Sequence, residues 1–428
     1  MDFSLGPGWG TAPPQGDLTE AIRPGTGPNN YSTKQVTERL NQGVRAGAFP
    51  GAVAFWGPPG REPRRAAAGL RGRSRDRLPV SFDLIYDLAS LTKLLATTSL
   101  AMILVQRGLL DIRQPLAEGP LGPVLPSLRS GPWPRITPEH LLAHQSGLRP
   151  WLPLHRRPGI APELRRATAL AAIWHDSALD PASPRPGTRT IYSDLNFILL
   201  GFLLEELAGR NLDRLWELEV ARPLGLVDLG FRPRLGPLAP TEDGFRWGGP
   251  IGHPEAGFRG PTPLGRVHDD NAAWLGGVSG HAGLFGPAAE IWALAAEWGR
   301  AWMADGDKNL FPDDRLMPDR ISAELGPIRG ADDRSPIFRR EVLADFIRTR
   351  PTLEDGGRPL GFNIKSQQTS LAESHFSPAT VGHTGYTGPS LWWDPEQDFL
   401  WLFLSNRVHP RALNPAWAPA HYQAGPIP

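Results

Sequence analysis

A serine and a lysine lie three residues apart at the head of an apolar segment, in the sequence Ser90-Leu-Thr-Lys93. Three residues span close to one helical turn, so on a helix these two side chains share a face and can touch. A serine hydroxyl needs an adjacent base to act as a nucleophile, and a lysine becomes such a base once burial lowers its pKa. Of the four lysines in the chain, only Lys93 follows a serine at this spacing. The pattern therefore predicts a helix that sets an amine against a nucleophilic Ser90.

The segments around this pair predict strands at both ends of the chain and helices between them. Residues 51–56 and 66–70 are typical of short strands, and residues 90–107 have the pattern of a helix that ends at a glycine. Residues 388–394 and 399–406 are typical of a hairpin of two core strands. The chain ends should therefore meet in one antiparallel sheet. This predicts an α+β fold, an α/β sandwich with a large helical lobe.

The length of the chain, 428 residues with 40% hydrophobic residues, is enough for one large core with an inserted lobe. No internal repeat divides it further. The predicted divisions are a flexible N-terminal segment over 1–30, one domain over 31–410 with a sheet lobe (31–108 and 348–410) and a helical lobe (109–347), and a C-terminal tail over 411–428.

Composition argues against several classes of function. The net charge of +1 produces no global field that would favour nucleic acid or an anionic membrane. The absence of cysteine excludes disulfides, thiol catalysis and cysteine metal sites. Every apolar run is interrupted well before the roughly 18 residues of a membrane span. The N-terminus lacks the basic start and apolar run of a secretory signal, so we expect a cytoplasmic protein, with an exported form left open.

A second candidate element, Tyr192-Ser193-Asp194, directly precedes a helical run over residues 195–208. A tyrosine hydroxyl held near a serine and a lysine can pass a proton between nucleophile and leaving group. The alternative is structural, because Asp194 would make a good helix N-cap and Tyr192 an ordinary core aromatic.

A third candidate element, His383-Thr384-Gly385, lies just ahead of the C-terminal hairpin. The edge of a strand at this place would leave backbone N–H groups to face a carbonyl oxygen, which is what an oxyanion hole requires. The tripeptide alone carries little information, so its weight comes from its order behind the other two elements.

The order and spacing of the three elements resemble the serine β-lactamase and penicillin-binding protein superfamily, with its Ser-x-x-Lys, Tyr-x-Asn or Ser-x-Asn, and Lys-Thr-Gly signatures. The resemblance is closest to the class C β-lactamase-like branch of esterases, D-aminopeptidases, D,D-carboxypeptidases and muropeptide amidases. It covers roughly residues 31–410 and is carried further by 49–53, 86–93, 141–148 and 280–286. Residues 267–272, 382–388 and 405–410 look most like penicillin-binding protein 4B and the β-lactamase-like hydrolases of cell-wall recycling.

The resemblance implies a role for each matching residue and the β-lactamase/transpeptidase-like fold. Ser90 would be the acylated nucleophile and Lys93 its base. Tyr192 would exchange a proton with the leaving group. The N–H groups of Ser90 and Tyr386 would form the oxyanion hole. His383 stands where the family has a lysine, and it would orient the substrate or relay a proton while mostly neutral near pH 7.

Two departures from the family pattern change the expected chemistry. Asp194 replaces an asparagine and brings an anion near Lys93, while His383 replaces a permanent cation that helps to hold a substrate carboxylate. Efficient β-lactamase activity becomes less expected, and ester, amide or D-amino acid peptide hydrolysis stays open. Asp194 either points away as a helix cap, is protonated, or holds Lys93 charged so that Tyr192 takes the proton from Ser90; we predict the third case.

Other candidate residues border the predicted cleft. Thr384 and Gly385 are expected to contact the substrate. His268 and His281 lie on polar or Gly-rich segments and are either structural or substrate-contacting, whereas His144 more readily anchors a loop. No short ligand pair such as His-x-x-x-His occurs, so we expect no metal and no cofactor.

Together these observations predict a serine hydrolase that works through an acyl-enzyme on Ser90 and takes a small molecule or short peptide as its substrate. The leading substrate class is a cell-wall peptide or muropeptide amide. The alternatives are a carboxylic ester and, from another class of function, a penicilloyl-binding sensor that acylates and stops. A nucleic-acid partner is not expected.

Overall fold

The structure is a computed structural model. It describes residues 31–72, 77–124, 135–157, 159–178, 184–233, 236–242, 246–248, 257–259, 262–304, 335–364 and 376–412. The predicted N-terminal segment and nearly all of the predicted tail therefore lie outside the described residues.

The secondary structure alternates short strands with helices. The strands are β1 (Gly51–Gly57), β2 (Arg64–Gly69), β3 (Tyr86–Asp87), β4 (Gly230–Phe231), β5 (Arg246–Gly248), β6 (Gly257–Arg259), β7 (Leu284–Gly286), β8 (Asn363–Ile364), β9 (Val381–Thr384), β10 (Ser390–Asp394) and β11 (Phe399–Ser405). The α-helices are α1 (Thr33–Arg45), α2 (Ser99–Gln106), α3 (Leu121–Val124), α4 (Pro138–Leu142), α5 (Arg165–Ala178), α6 (Asp194–Ala208), α7 (Leu212–Trp216), α8 (Arg222–Leu224), α9 (Asp270–Trp274), α10 (Ala288–Met303) and α11 (Arg340–Ile347). Two 3₁₀ turns (Leu154–Arg156 and Pro162–Leu164) and two π-helical stretches (Lys93–Thr98 and Glu217–Ala221) complete the described elements.

The main sheet unites the two ends of the chain, as predicted. Its six strands follow the order β2-β1-β11-β10-β9-β8. Each neighbouring pair is antiparallel, and in the pair β1–β11 Ala52 lies opposite Ser405. Strand β1 is buried along its whole length, because both faces of the sheet are covered. The predicted strand 51–56 and the C-terminal hairpin are therefore confirmed.

Helices cover the two faces of this sheet. Val36 and Leu40 of α1 share a buried cluster with Trp56 of β1 on one face. On the other face the Trp298 ring of α10 lies 6.2 Å from the Trp393 ring of β10. Helix α10 belongs by sequence to the predicted helical lobe, but it packs on the sheet because its apolar side chains are needed to bury the inner face.

The predicted helix over residues 90–107 is present as a helical run from residue 91 through α2. It ends before Gly108, whose φ of +68° suits a glycine. The sequence pattern does not reveal the π-helical stretch Lys93–Thr98 inside it. There the Thr98 hydroxyl donates to the Lys93 carbonyl at 2.8 Å, which satisfies a carbonyl in the widened turn.

A small sheet, β3-β7-β4, takes two of its strands, β4 and β7, from the region expected to be helical. Strand β3 pairs with β7, which places the segment leading to Ser90 beside the Gly-rich segment 280–286. Helix α6 packs closely against the same segment, and a Cβ on Gly280 would lie only 2.1 Å from the Phe197 carbonyl oxygen. None of the helices within the described ranges is long and apolar enough to cross a membrane.

Candidate active site

Ser90 and Lys93 meet as the spacing predicts. Lys93 Nζ lies 2.9 Å from Ser90 Oγ, 2.7 Å from Asp194 Oδ1 and 3.2 Å from the carbonyl oxygen of His281. The Lys93 side chain is fully buried and Ser90 is half-buried. Lys93 Nζ therefore donates to Ser90 Oγ and the His281 carbonyl, and it forms an ion pair with Asp194.

The charge of Asp194 decides the protonation of Lys93. Burial alone lowers the pKa of Lys93, but attraction to Asp194, supported by Tyr192, outweighs it and raises that pKa above its ordinary 10.5. Lys93 is therefore an ammonium at neutral pH in the free protein. The expectation that burial would leave a neutral amine is wrong, and the structure favours the predicted case in which Asp194 holds Lys93 charged.

Asp194 is the first residue of helix α6 and not its cap. The N-cap position belongs to Ser193, whose hydroxyl donates to the Arg149 carbonyl at 2.5 Å instead of capping the helix. The Asp194 N–H donates to the Pro150 carbonyl at 2.9 Å. With its backbone held there, Asp194 directs its carboxylate to Lys93, so the interpretation as a helix cap is wrong.

His144 anchors the turn that carries these residues, as predicted. Its Nδ1 accepts a hydrogen bond from the Ser193 N–H at 3.0 Å, and its carbonyl accepts one from Ile191. Burial, and then the positive charges of Arg358 and Lys93, hold the pKa of His144 well below its ordinary range. A neutral His144 is therefore a fixed hydrogen-bond acceptor under the turn.

Tyr192 lies at the mouth of the site and is not a core aromatic, since 38% of its surface is exposed. Its ring centroid lies 5.1 Å from Lys93 Nζ and 4.5 Å from the His144 ring. On the other side are the His383 ring at 6.0 Å and the Arg358 guanidinium carbon at 5.3 Å. The Tyr192 ring is therefore surrounded by the nitrogen-bearing side chains of two cationic residues and two histidines.

His383 is neutral and its tautomer is set by the backbone. Burial first, then the charges of Arg358 and Lys93, hold its pKa well below the ordinary value, in agreement with the predicted neutral group. Its Nδ1 lies 2.7 Å from the Thr384 carbonyl oxygen, which can only accept, so Nδ1 carries the proton. The buried Nε2 then offers a lone pair and has no hydrogen-bond partner within the described part of the chain.

The turn after β9 is held against the segment that leads to Ser90. A Cβ on Gly385 would lie 2.6 Å from the Leu88 carbonyl oxygen, so the close approach requires glycine. The Thr387 hydroxyl donates to the Asp87 carbonyl at 2.6 Å. This packing brings Tyr386 next to the same segment. The assignment of the Ser90 and Tyr386 N–H groups to an oxyanion hole stays a prediction.

His281 and His268 each pair with a carboxylate. His281 Nε2 lies 2.8 Å from Asp269 Oδ1, and His268 Nε2 lies 2.9 Å from Glu242 Oε2. His281 meets Lys93 through its backbone oxygen and not its ring. These contacts favour the structural alternative for both histidines, and the role in substrate contact predicted for them stays untested.

Asp194, Asp269 and His281 offer ligand atoms within 4.8 Å of one another, which makes them the candidate metal cluster among the residues described. Burial raises the pKa of Asp269, but His281 and other partners outweigh it and hold that pKa far below its ordinary range. His281 Nε2 is paired with Asp269 Oδ1 at 2.8 Å, and Asp194 Oδ1 with the Lys93 ammonium at 2.7 Å. We therefore assign these groups to two charge pairs.

Arg358 was not anticipated by the sequence analysis. No motif marks it in an arginine-rich chain, and it enters the site from the connection between α11 and β8. No motif marks Glu242 either, although it pairs with His268, because the two residues are far apart in the sequence.

We expect Asp194→Asn to lower kcat/KM at least about tenfold, or about 1.4 kcal/mol of barrier, and to shift the basic limb of the pH–rate profile to lower pH. Removing the charge of Asp194 lowers the pKa of Lys93, because that charge raises it. Activity that needs the ammonium is then lost at lower pH. In the wild type this limb should lie above 10.5, the ordinary lysine value.

The pH–rate profiles of wild type and variant measure this effect, with Asp83→Asn, an exposed aspartate, as the matched control. An unchanged profile at near wild-type rate would show that Asp194 does not govern Lys93. Higher activity in Asp194→Asn would show instead that a neutral Lys93 is the base.

Comparison with known proteins adds to this geometry. A family model described as Beta-lactamase matches residues 36–425. A protein of Escherichia coli (strain K12) described as "Putative D-alanyl-D-alanine carboxypeptidase" is 29% identical over 361 residues, which cover 80% of this chain and 74% of that protein.

Solved structures share the architecture at lower identity. The chain is similar to EstCE1, a hydrolase with promiscuous acyltransferase activity, with a TM-score of 0.61 and 21% identity over 87% of this chain and 93% of that one. It is also similar to the octameric penicillin-binding protein homologue from Pyrococcus abyssi, with a TM-score of 0.59 and 19% identity over 92% and 77% of the two chains. The likeness in fold extends over most of each chain.

Proposed function

The chain belongs to the β-lactamase family and is a serine hydrolase with the predicted fold, and from this premise we propose that it removes the terminal D-amino acid from cell-wall peptides. The observation that carries the proposal is the contact of 2.9 Å between Ser90 Oγ and the buried Lys93 Nζ, beside Tyr192 and the end of β9. The description of the Escherichia coli relative supports the same substrate class.

The proposed first step acylates Ser90. Its Oγ attacks the carbonyl carbon of the scissile amide as Tyr192, in its phenolate form, takes the hydroxyl proton. The N–H groups of Ser90 and Tyr386 stabilise the negative oxygen of the tetrahedral intermediate. The C–N bond then breaks, and Tyr192 delivers its proton to the leaving amine of the D-amino acid.

The proposed second step hydrolyses the acyl-enzyme. Tyr192 takes a proton from water, whose oxygen attacks the ester carbonyl. The bond to Ser90 Oγ breaks and Tyr192 returns the proton to Oγ. The products are the shortened peptide, which ends in a new carboxylate, and the free serine.

Lys93 and Asp194 act on these steps through charge. A positive charge 5.1 Å from the ring centroid stabilises the anion of Tyr192. Lys93 also donates toward Ser90 Oγ, where negative charge develops when the hydroxyl loses its proton. Asp194, 2.7 Å from Nζ, keeps that lysine charged.

A second candidate function is the hydrolysis of small carboxylic esters. It is favoured by His383, which is neutral where the family pattern has a lysine and so does not by itself demand an anionic substrate. An ester has a better leaving group than an amide. Ester hydrolysis therefore tests the acylation of Ser90 with less dependence on proton transfer to the leaving group.

We expect the purified protein to release D-alanine from an acylated D-alanyl-D-alanine peptide and from N-acetylmuramyl peptides with that terminus. The matched control is the same peptide with L-alanine at its end, which should be cleaved at least about tenfold more slowly. A chromogenic ester and nitrocefin are tested alongside by absorbance.

Turnover of the ester without release of D-alanine would replace the peptidase proposal with the esterase. A stable penicilloyl adduct without turnover of any substrate would favour the sensor. Equal cleavage of the D- and L-peptides would contradict the proposed substrate class.

A further inference from the structure

We propose that Arg358 binds the C-terminal carboxylate of the substrate and so makes this hydrolase select chains with a free carboxyl end. The inference rests on the proposed function, because it names what that site recognises. Arg358 has a place in none of the three sequence elements.

Arg358 is held in one orientation by the backbone around it. Its N–H donates to the Arg350 carbonyl at 3.2 Å, and its own carbonyl accepts from the Arg350 N–H at 2.8 Å. Its Nε donates to the Phe362 carbonyl at 3.1 Å. Held by these bonds, the guanidinium carbon lies over the Tyr192 ring, 5.3 Å from the ring centroid.

The guanidinium of Arg358 has no carboxylate partner among the described residues. Its buried Nη2 has no hydrogen-bond partner in the described parts of the chain, and no carboxylate there forms an ion pair with it. Arg350, which shares the two backbone hydrogen bonds with Arg358, by contrast contacts Glu139 at 2.6 Å and Asp345 at 2.9 Å. A buried donor without a partner is costly, so an arriving anion gains from pairing with it.

The position of Arg358 matches the charge that the site needs. His383 is neutral and its Nε2 is an acceptor, so this histidine repels a carboxylate unless it gains a proton. Burial lowers the pKa of Arg358 to about 10, which leaves it charged at neutral pH. Arg358 therefore supplies, from another part of the fold, the positive charge that the family's lysine would provide at position 383.

The chemistry of the arginine side chain favours a carboxylate as its ligand. A guanidinium presents donors in a planar fork that fits the two oxygens of a carboxylate, whereas a carboxamide brings donors of its own and no charge. In a D,D-carboxypeptidase substrate the terminal carboxylate is only a few bonds from the scissile carbonyl. Arg358 beside Tyr192 lies on the side where the leaving group must receive its proton.

The test compares a D-alanyl-D-alanine peptide acid with its C-terminal carboxamide. In the wild type we expect the acid to be cleaved with a kcat/KM about 100-fold higher. Arg358→Gln should bring this ratio close to one, mainly through a higher KM for the acid, and Arg358→Lys should keep part of it. Arg348→Gln is the matched control, because Arg348 lies on the same connection with its side chain 62% exposed. Thermal denaturation confirms that each variant is folded.

A binding measurement keeps this inference separate from the proposed function. Both peptides are tested for how well they slow labelling of Ser90 by a fluorophosphonate. If the wild type cleaves neither peptide but the acid protects better, and Arg358→Gln loses the difference, the proposed function fails and the inference stands. Equal protection by acid and carboxamide in the wild type, or an acid preference that survives in Arg358→Gln, would overturn it.

Discussion

Ser90→Ala should form no covalent adduct with a fluorophosphonate or a penicillin, whereas the wild type should gain the mass of a single adduct. Its kcat/KM should fall on the order of 10⁴-fold or more, which corresponds to about 5.4 kcal/mol of barrier. The reason is that Ser90 Oγ lies 2.9 Å from Lys93 Nζ, and alanine removes the only atom that can form the ester. Intact-mass spectrometry measures the adduct, and steady-state kinetics measures the rate.

The matched control is Ser81→Ala, an exposed serine on the segment that leads to the site. It should be labelled as fast as the wild type, because it changes nothing near Lys93. Equal labelling of Ser90→Ala and wild type would refute the nucleophile assignment.

Lys93→Arg should lose activity on the order of 10³-fold, or about 4 kcal/mol, although it keeps the positive charge. The ammonium of Lys93 lies in a fully buried space among Ser90 Oγ, Asp194 Oδ1 and the His281 carbonyl. A planar guanidinium is larger and cannot direct donors to three oxygens arranged around one atom. Ser90 then loses its contact with the lysine nitrogen.

The exposed Lys34 supplies the control, since Lys34→Arg makes the same chemical change on helix α1 far from the site. Lys93→Met tests the fold separately, because methionine is an unbranched side chain only one atom shorter and without a charge. Its melting temperature reports whether loss of activity reflects loss of structure. Retention of more than about a tenth of the wild-type kcat/KM in Lys93→Arg, a loss below ~1.4 kcal/mol, would show that Lys93 has no direct part in the chemistry.

Several features of the fold could be predicted from residues that lie close together in the sequence. Ser90 directly precedes the helical run that begins at residue 91, and its carbonyl accepts from the Lys93 N–H at 3.1 Å, so a single turn brings the two side chains together as the spacing predicts. The buried strand β1 and the hairpin of β10 and β11 followed from short apolar runs around a turn. The union of both chain ends in one sheet followed from where those strands lie in the sequence.

Other features depended on tertiary contacts. The pattern of apolar residues did not show that α10 covers the sheet, or that the region taken as helical contains β4 to β7. A helix and a short strand in a buried place look alike in a sequence, so packing against the sheet decided between them.

The protonation of the site and its candidate substrate anchor were also decided in three dimensions. The sequence leaves three alternatives for Asp194, and the contact of 2.7 Å between Asp194 Oδ1 and Lys93 Nζ, which raises the pKa of Lys93, favours the predicted alternative in which the lysine stays charged. Arg358 reaches the site from a connection with no motif of its own. Helix and strand patterns arise from the spacing of residues along the chain, which the sequence shows directly. Coulomb energies depend on distance and burial between residues far apart in sequence, so only the folded chain determines which charges meet.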